Sequence, residues 1–240
     1  MILALTVVLA LAQAPAPPPP IVPDLKTLLS ASNKGDVAEV EKLLAAHPEW
    51  VDARDEKGLS FLLNAQYRNR SEVVQAYAKR RTHFDVFEAS ALGREAALDA
   101  LIRKDPSSVA TYSADGSTPL TLASFFAQEG AVKVLLAHKA DVHQYAKAPH
   151  VQPLHSAAAG RCVGCVRALL NAGADANASQ DGGFRALHEA AANGDQTMAE
   201  LLIAKGAIAD IKNDAGKTSA DLARERGHLE IAAWLDSLKK

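Results

Sequence analysis

Gln152-Pro153-Leu154-His155-Ser156-Ala157-Ala158 and Arg185-Ala186-Leu187-His188-Glu189-Ala190-Ala191 are one pattern written twice, 33 residues apart. A third copy, Ser117-Thr118-Pro119-Leu120-Thr121-Leu122-Ala123-Ser124, follows the same grammar. Anchoring on the residue after the proline-like position extends the series to Leu28, Leu62, Val86, Leu120, Leu154, Leu187 and Ala220. The gaps are 34, 24, 34, 34, 33 and 33 residues. A near-constant period of this size predicts a stacked solenoid, because each unit is one small piece that cannot bury its apolar face alone. The expected fold is all-α, with about seven helix-turn-helix units starting near residues 25, 58, 84, 116, 150, 183 and 216.

Composition agrees with such an array. Apolar residues make up 48 %, enough for a continuous core, while aromatics are only 5 %. About one residue in five is alanine, which suits helices packed too closely for large side chains. The 26 basic and 28 acidic residues leave a net charge of −2 and no electrostatic footprint for nucleic acid.

Within a unit, Pro153 sits where a first-turn proline is tolerated, since its missing N–H would be unpaired anyway. Val166, Leu169 and Leu170 then repeat at helical spacing, and Gly173 supplies a left-handed helix stop. The next unit repeats this with Met198, Leu201, Leu202 and Gly206, whereas Lys139 takes the glycine position in the unit before. Asp, Asn and Gly between units, as in Ala174-Asp175-Ala176-Asn177-Ala178 to Gly183, are turn chemistry suited to projecting hairpins. The 24-residue gap before Val86 leaves no room for one there, so of six loops five are expected to project. Trp234 is expected as a core residue of the terminal unit, whose other positions turn polar at Asp221, Arg224, Glu225 and Arg226.

These motifs resemble ankyrin repeats, whose units read T-P-L-H-x-A-A-x-x-G, then an apolar helix, then G-A-D-x-N. The likeness covers about residues 24–240. It is strongest from Thr118 onward, although no copy is complete. It implies a non-catalytic binding role: a protein partner on a concave surface built from loop tips and the ends of each first helix. Carried over by position, the partner-binding candidates are Tyr67, Arg68, Phe125, Phe126, Asp181, Phe184, Asn193, Glu225 and Arg226. Phe125, Phe126 and Phe184 are expected as the hot spot, with one of Phe125 and Phe126 alternatively filling space left by the missing glycine at Ala127. The resemblance also implies that His155 and His188 make hydrogen bonds between units. A monomer with no cofactor and no metal is expected.

Cys162 and Cys165 are the only cysteines, spaced C-x-x-C at a predicted helix start. Two readings stand for them: a disulfide, or a buried Cys165 replacing an aliphatic residue beside a passive Cys162. Redox activity of this pair is an alternative function. Two sulfurs are too few for a structural zinc site. His138, His143 and His150 cluster loosely around one loop but match no ligand spacing.

Residues 2–11 are uncharged and apolar, and Ala10-Leu11-Ala12-Gln13-Ala14 follows a small-residue cleavage pattern. Residues 1–12 are therefore expected to be a signal peptide directing the chain to a bacterial-type periplasm or outside the cell. The run is too short to span a bilayer, so no membrane insertion is expected after its removal. Residues 13–23 carry Pro15, Pro17, Pro18, Pro19, Pro20 and Pro23, a stiff extended linker. The expected role is a scaffold, inhibitor or stabiliser of another exported protein. The alternative is a cytosolic adaptor on the same scaffold.

Overall fold

The computed structural model describes residues 23–147 and 150–238. The expected signal peptide, residues 1–12, and residues 13–22 of the expected linker lie outside these residues. Among them are fourteen α-helices arranged as seven antiparallel pairs. The first helix of each pair lies on the inner side: α1 (Pro23–Lys34), α3 (Phe61–Tyr67), α5 (Val86–Ala91), α7 (Pro119–Phe125), α9 (Pro153–Ala159), α11 (Ala186–Ala192) and α13 (Ser219–Glu225). The second helices are α2 (Val37–Ala46), α4 (Ser71–Arg80), α6 (Glu95–Lys104), α8 (Glu129–Ala137), α10 (Val163–Asn171), α12 (Gln196–Ala204) and α14 (Leu229–Ser237). Each inner helix packs on the next along the stack. Pro23, read from sequence as linker, is the first residue of α1.

Local chemistry sets the helix starts. Ser60, Thr118 and Thr218 accept the backbone N–H three residues on, and proline opens α7 and α9. Two residues after each inner helix the chain needs a positive φ to reverse direction. Where glycine is absent, Asn69 (54°), Ala127 (56°) and Arg161 (55°) take it; elsewhere it falls on Gly93, Gly194 and Gly227. Gly35 does the same after α1, so this turn recurs at gaps of 34, 24, 34, 34, 33 and 33 residues. The spacing is that of the sequence anchors. Lys139 likewise adopts a positive φ (65°) after α8, where Gly173 and Gly206 serve after α10 and α12.

α4 and α5 are joined by only residues 81–85, and no hairpin separates them. The buried apolar side chains fall into two clusters that divide near this point. One gathers Leu28, Val40, Phe61, Leu62, Val73 and Tyr77; the other runs from Val86 to Leu235. Phe84 and Phe87 touch both. α4 and α6 lack the packing seen between α2 and α4 or between α6 and α8.

Polar groups hold the seam. The Arg81 and Glu88 side chains are both buried and form an ion pair. Arg81 Nε and Nη2 also donate to Val51 O at 3.1 and 2.9 Å, and Nη2 lies 3.3 Å from Asp52 Oδ1. Glu88 Oε2 accepts the N–H of Asp85, whose own carboxylate caps α5 and meets Arg54 at 2.8 Å. Elsewhere in the amino-terminal core, burial pushes the Tyr77 phenol up to about 12, with the Ser32 hydroxyl 2.8 Å away and Arg81 opposing the shift.

Candidate functional site

The concave face is built from the ends of the inner helices and the hairpins ahead of them. Tyr67 ends α3, and Phe125 ends α7, two units further on. Because no hairpin stands before α5, Tyr67 reaches the hairpin that precedes α7. Its hydroxyl donates to Asp115 Oδ2 at 2.6 Å and lies 3.4 Å from Ser117 Oγ. The Tyr67 ring is 6.2 Å from Phe125 and 5.1 Å from Phe126, centroid to centroid, and the two phenylalanines meet edge-on at 5.1 Å. Three aromatics from positions distant in sequence thus form one cluster.

This cluster closes one end of a groove of about 440 Å³ that continues along the face. Leu122, Ala146, Val151 and Ala159 give it apolar walls, with Gln180, Arg185 and Glu189 at the far end. Tyr67 and Phe125 remain 38 % and 42 % exposed, the main open aromatic surface in the groove. Asp115 and Arg185, two of the charged groups bordering it, make hydrogen bonds within the protein. Burial opposes ionisation of Asp115, but hydrogen bonds from Ser113, Tyr67 and Ser117 outweigh it and lower its pKa. The Tyr67 phenol is raised well above its ordinary value by burial and by its bond to Asp115. Arg185 donates through Nε to Asn177 O and through Nη1 to Gly183 O.

Two of the expected hot-spot residues are placed differently. Phe126 is half-buried and packs at the margin of the amino-terminal core with Ala91 and Leu92, because the short link before α5 brings α3 and α7 together over it. Ala127 itself takes the left-handed turn in place of a glycine. Phe184 is also half-buried, edge-on to His188 at 5.8 Å. Arg68 lies beyond Tyr67 in a shallower groove shared with Lys26, Leu29, Asp55 and Lys57. Asp181 is exposed near His150, at 3.6 Å. Asn193 donates to Glu189 Oε1 at 3.3 Å, and Glu225 pairs with Lys217 at 2.7 Å beside exposed Arg226. The groove therefore unites Tyr67 and Phe125 but not Phe184, Glu225 or Arg226. Its Leu122, Gln180 and Glu189 were not singled out in sequence. The 24-residue gap was the available clue, since losing a hairpin is what joins Tyr67 to Asp115.

His155 Nε2 lies 2.9 Å from Ala178 O, and His188 Nε2 lies 3.1 Å from Ile211 O, each in the loop leading to the next unit. His188 Nδ1 also accepts the N–H of Arg185 at 3.0 Å. Burial lowers both imidazole pKa values, against the opposing pull of the backbone carbonyls. Cys162 and Cys165 are joined as a disulfide, and Cys162 Sγ caps α10 by accepting the N–H of Cys165. Cys165 is at the same time fully buried in the aliphatic core beside Val166 and Leu169. His138 sits 2.7 Å from Asp99 rather than with the other histidines of its loop. Among the described residues, no group of three or more His, Cys, Asp or Glu side chains has metal-holding geometry, and no helix is long and apolar enough to cross a membrane.

A family model described as ankyrin repeats in three copies matches residues 86–180 and again residues 154–238. The ankyrin repeat and KH domain-containing protein mask-1 of Caenorhabditis elegans is 38 % identical over 121 residues, which is 50 % of this chain and 5 % of that protein. The human ankyrin repeat and KH domain-containing protein 1 is 41 % identical over 104 residues, 42 % of this chain and 4 % of the relative. A nematode homologue of the transient receptor potential cation channel subfamily A member 1 is 27 % identical over 197 residues, 78 % of this chain and 16 % of its own length. The chain thus spans about a twentieth of the first two relatives.

Proposed function

The chain belongs to the ankyrin-repeat family, and on that premise we propose that it is a non-catalytic protein-binding module whose partner lies along the concave face. The observation that carries this is the half-open Tyr67–Phe125 pair set in an apolar groove that crosses several units. Interfaces concentrate binding energy in such aromatic anchors surrounded by polar residues. Phe125 is the anchor, with Tyr67 beside it. Phe126 and Phe184, being half-buried, support the surface. Arg68, Asp181, Asn193, Glu225 and Arg226 form its polar rim. His155 and His188 hold the units in register.

Of the two cellular settings, an adaptor that is not exported has the better support, because the relatives named for KH domains carry the repeat alongside other domains. Export of the chain, with a partner in the same compartment, is the second reading. The disulfide at Cys162 and Cys165 favours it, since such bonds persist in oxidising compartments. Mass spectrometry of the mature amino terminus separates them: a start at Gln13 supports export, and retention of the preceding residues supports the adaptor.

Crosslinking in the native host followed by affinity capture identifies the partner. Phe125→Ala should then weaken its binding by about 10-fold or more, the size expected of a buried aromatic anchor. Unchanged affinity in the Tyr67→Ala, Phe125→Ala double variant would remove the concave face as the binding surface.

A further inference from the structure

We propose that the partner enters the groove as an extended segment with two anchors: a bulky apolar side chain on Tyr67 and Phe125, and a lysine or arginine against Glu189 and Gln180. The inference rests on the concave face being the binding surface and adds the chemistry of what it takes. Leu122, Ser156 and Glu189 hold one position of the inner helix in successive units, and Phe125, Ala159 and Ala192 hold the position three residues on. Side chains at both positions shrink on leaving α7, so the floor of the groove drops over α9, between the aromatic pair and Glu189. From α7 to α11 is two helix spacings, about 16–20 Å. An extended chain advances about 3.3 Å per residue, and a basic side chain adds its own reach, so the two anchors stand about three to six residues apart.

Charge decides the far anchor. The ionised side chains lining the groove are Asp115, Arg185 and Glu189, since burial lowers the His155 pKa and leaves that ring neutral at pH 7. The balance is negative. Asp115 has both oxygens bonded, Oδ2 by Tyr67 and Oδ1 by the Ser113 hydroxyl and the Ser117 N–H. Arg185 stands one turn before Glu189 without pairing to it; its Nε and Nη1 are held by the Asn177 and Gly183 carbonyls, whose dipoles offset its charge. Glu189 is half-buried, and among the described residues its carboxylate accepts only a 3.3 Å bond from Asn193 Nδ2. The Gln180 side-chain amide, also half-buried, has no bonded partner among these residues. A carboxylate and an amide oxygen left open at the end of an apolar trough match a basic side chain. Its aliphatic stem lies along Val151 and Ala159, and its head makes charge-assisted hydrogen bonds. An acidic segment would instead set a second negative charge beside Glu189.

Phage-displayed random dodecapeptides selected on the immobilised full chain test this. Selected sequences should pair an aromatic or long aliphatic residue with arginine or lysine about three to six positions away. The tightest of them, made as a free peptide, should bind Glu189→Gln about 10-fold more weakly, the size of one charge-assisted hydrogen bond. Its binding should also weaken as salt rises, and Glu189→Gln should flatten that dependence. Selection on Glu189→Lys should replace the basic preference with Asp or Glu, the urea midpoint showing that each variant is folded. Apolar sequences with no basic preference overturn the proposal, as does a basic preference that survives Glu189→Gln. If Phe125→Ala abolishes capture of those same sequences, the concave face still stands as the binding surface, so the two failures are distinguishable. No selected sequence at all overturns the proposal and leaves the concave face to be judged by partner capture from the native host. Self-association of the full chain in sedimentation, abolished by Phe125→Ala, assigns the groove to a second copy and also overturns it.

Discussion

Between α9 and α11 the stack is tied by a histidine reaching into the next loop, and the hairpins ahead of α7 and α9 and ahead of α11 and α13 are joined by backbone bonds from Lys147 N to Gly116 O and from Asp214 N to Gly182 O. Between α3 and α5 those devices are missing, and a buried Arg81–Glu88 pair with the Val51 carbonyl takes their place. The carboxy-terminal units repeat one solution; the junction of the second and third units is built once. Removing a hairpin deleted the contacts that normally set register, and a paired charge restores directionality that apolar packing lacks. A buried ion pair adds little net stability compared with a well-packed apolar substitute, but losing one partner leaves a charge stranded.

The sharpest way to break this contrast is Glu88→Ala. It should destabilise the protein by about 3 kcal/mol in urea unfolding, because Arg81 loses its buried carboxylate partner and keeps only half-exposed Asp52 and the Val51 carbonyl. A loss under about 1 kcal/mol would mean that the seam is held by packing alone. Gly160→Ala tests the regular side. Its new Cβ would fall 2.3 Å from Phe125 O and 2.9 Å from Ser124 O, backbone atoms that cannot swing aside. A destabilisation of about 1–3 kcal/mol is expected, the usual range for overpacking. An unchanged midpoint would show that α7 and α9 can separate freely.

Smaller changes sharpen the comparison. Lys139→Gly should stabilise by about 1 kcal/mol in the same unfolding measurement, because the turn after α8 would match the glycine turns after α10 and α12. The histidines give a pH signature confined to the regular units. Their native pKa values lie below the ordinary imidazole value, so the unfolded chain takes up protons first as pH falls. Their contribution is complete above about pH 6.5 and is lost as pH drops through the lower native values. The urea midpoint should therefore decline from pH 7 towards pH 5, and a His155→Gln, His188→Gln variant should show a flatter profile. An identical profile in that variant would assign the decline to other groups.

Much of the architecture was legible because it is written in local chemistry. Pro153, the Thr118 cap and the Gly173 stop each act within one turn of the chain, and the anchor spacing reappears as the spacing of positive-φ turns. The missing hairpin was legible too, as a gap. Its consequence was not. That Tyr67 bonds to Asp115, or that Phe126 turns into the core margin, depends on the distance between units two apart in the stack. Position in a repeat indicates which side a residue faces, but not whether a neighbour already covers it.

By itself, then, the sequence determined the number of units, their helical pairs and the place where regularity fails, since these follow from periodicity and short-range backbone preference. Only the tertiary structure decided which aromatics remain open, how Arg81 reaches Val51 and Asp52, and where an apolar groove survives. Those outcomes depend on contacts between residues tens of positions apart, whose distances are fixed only when the whole stack has closed.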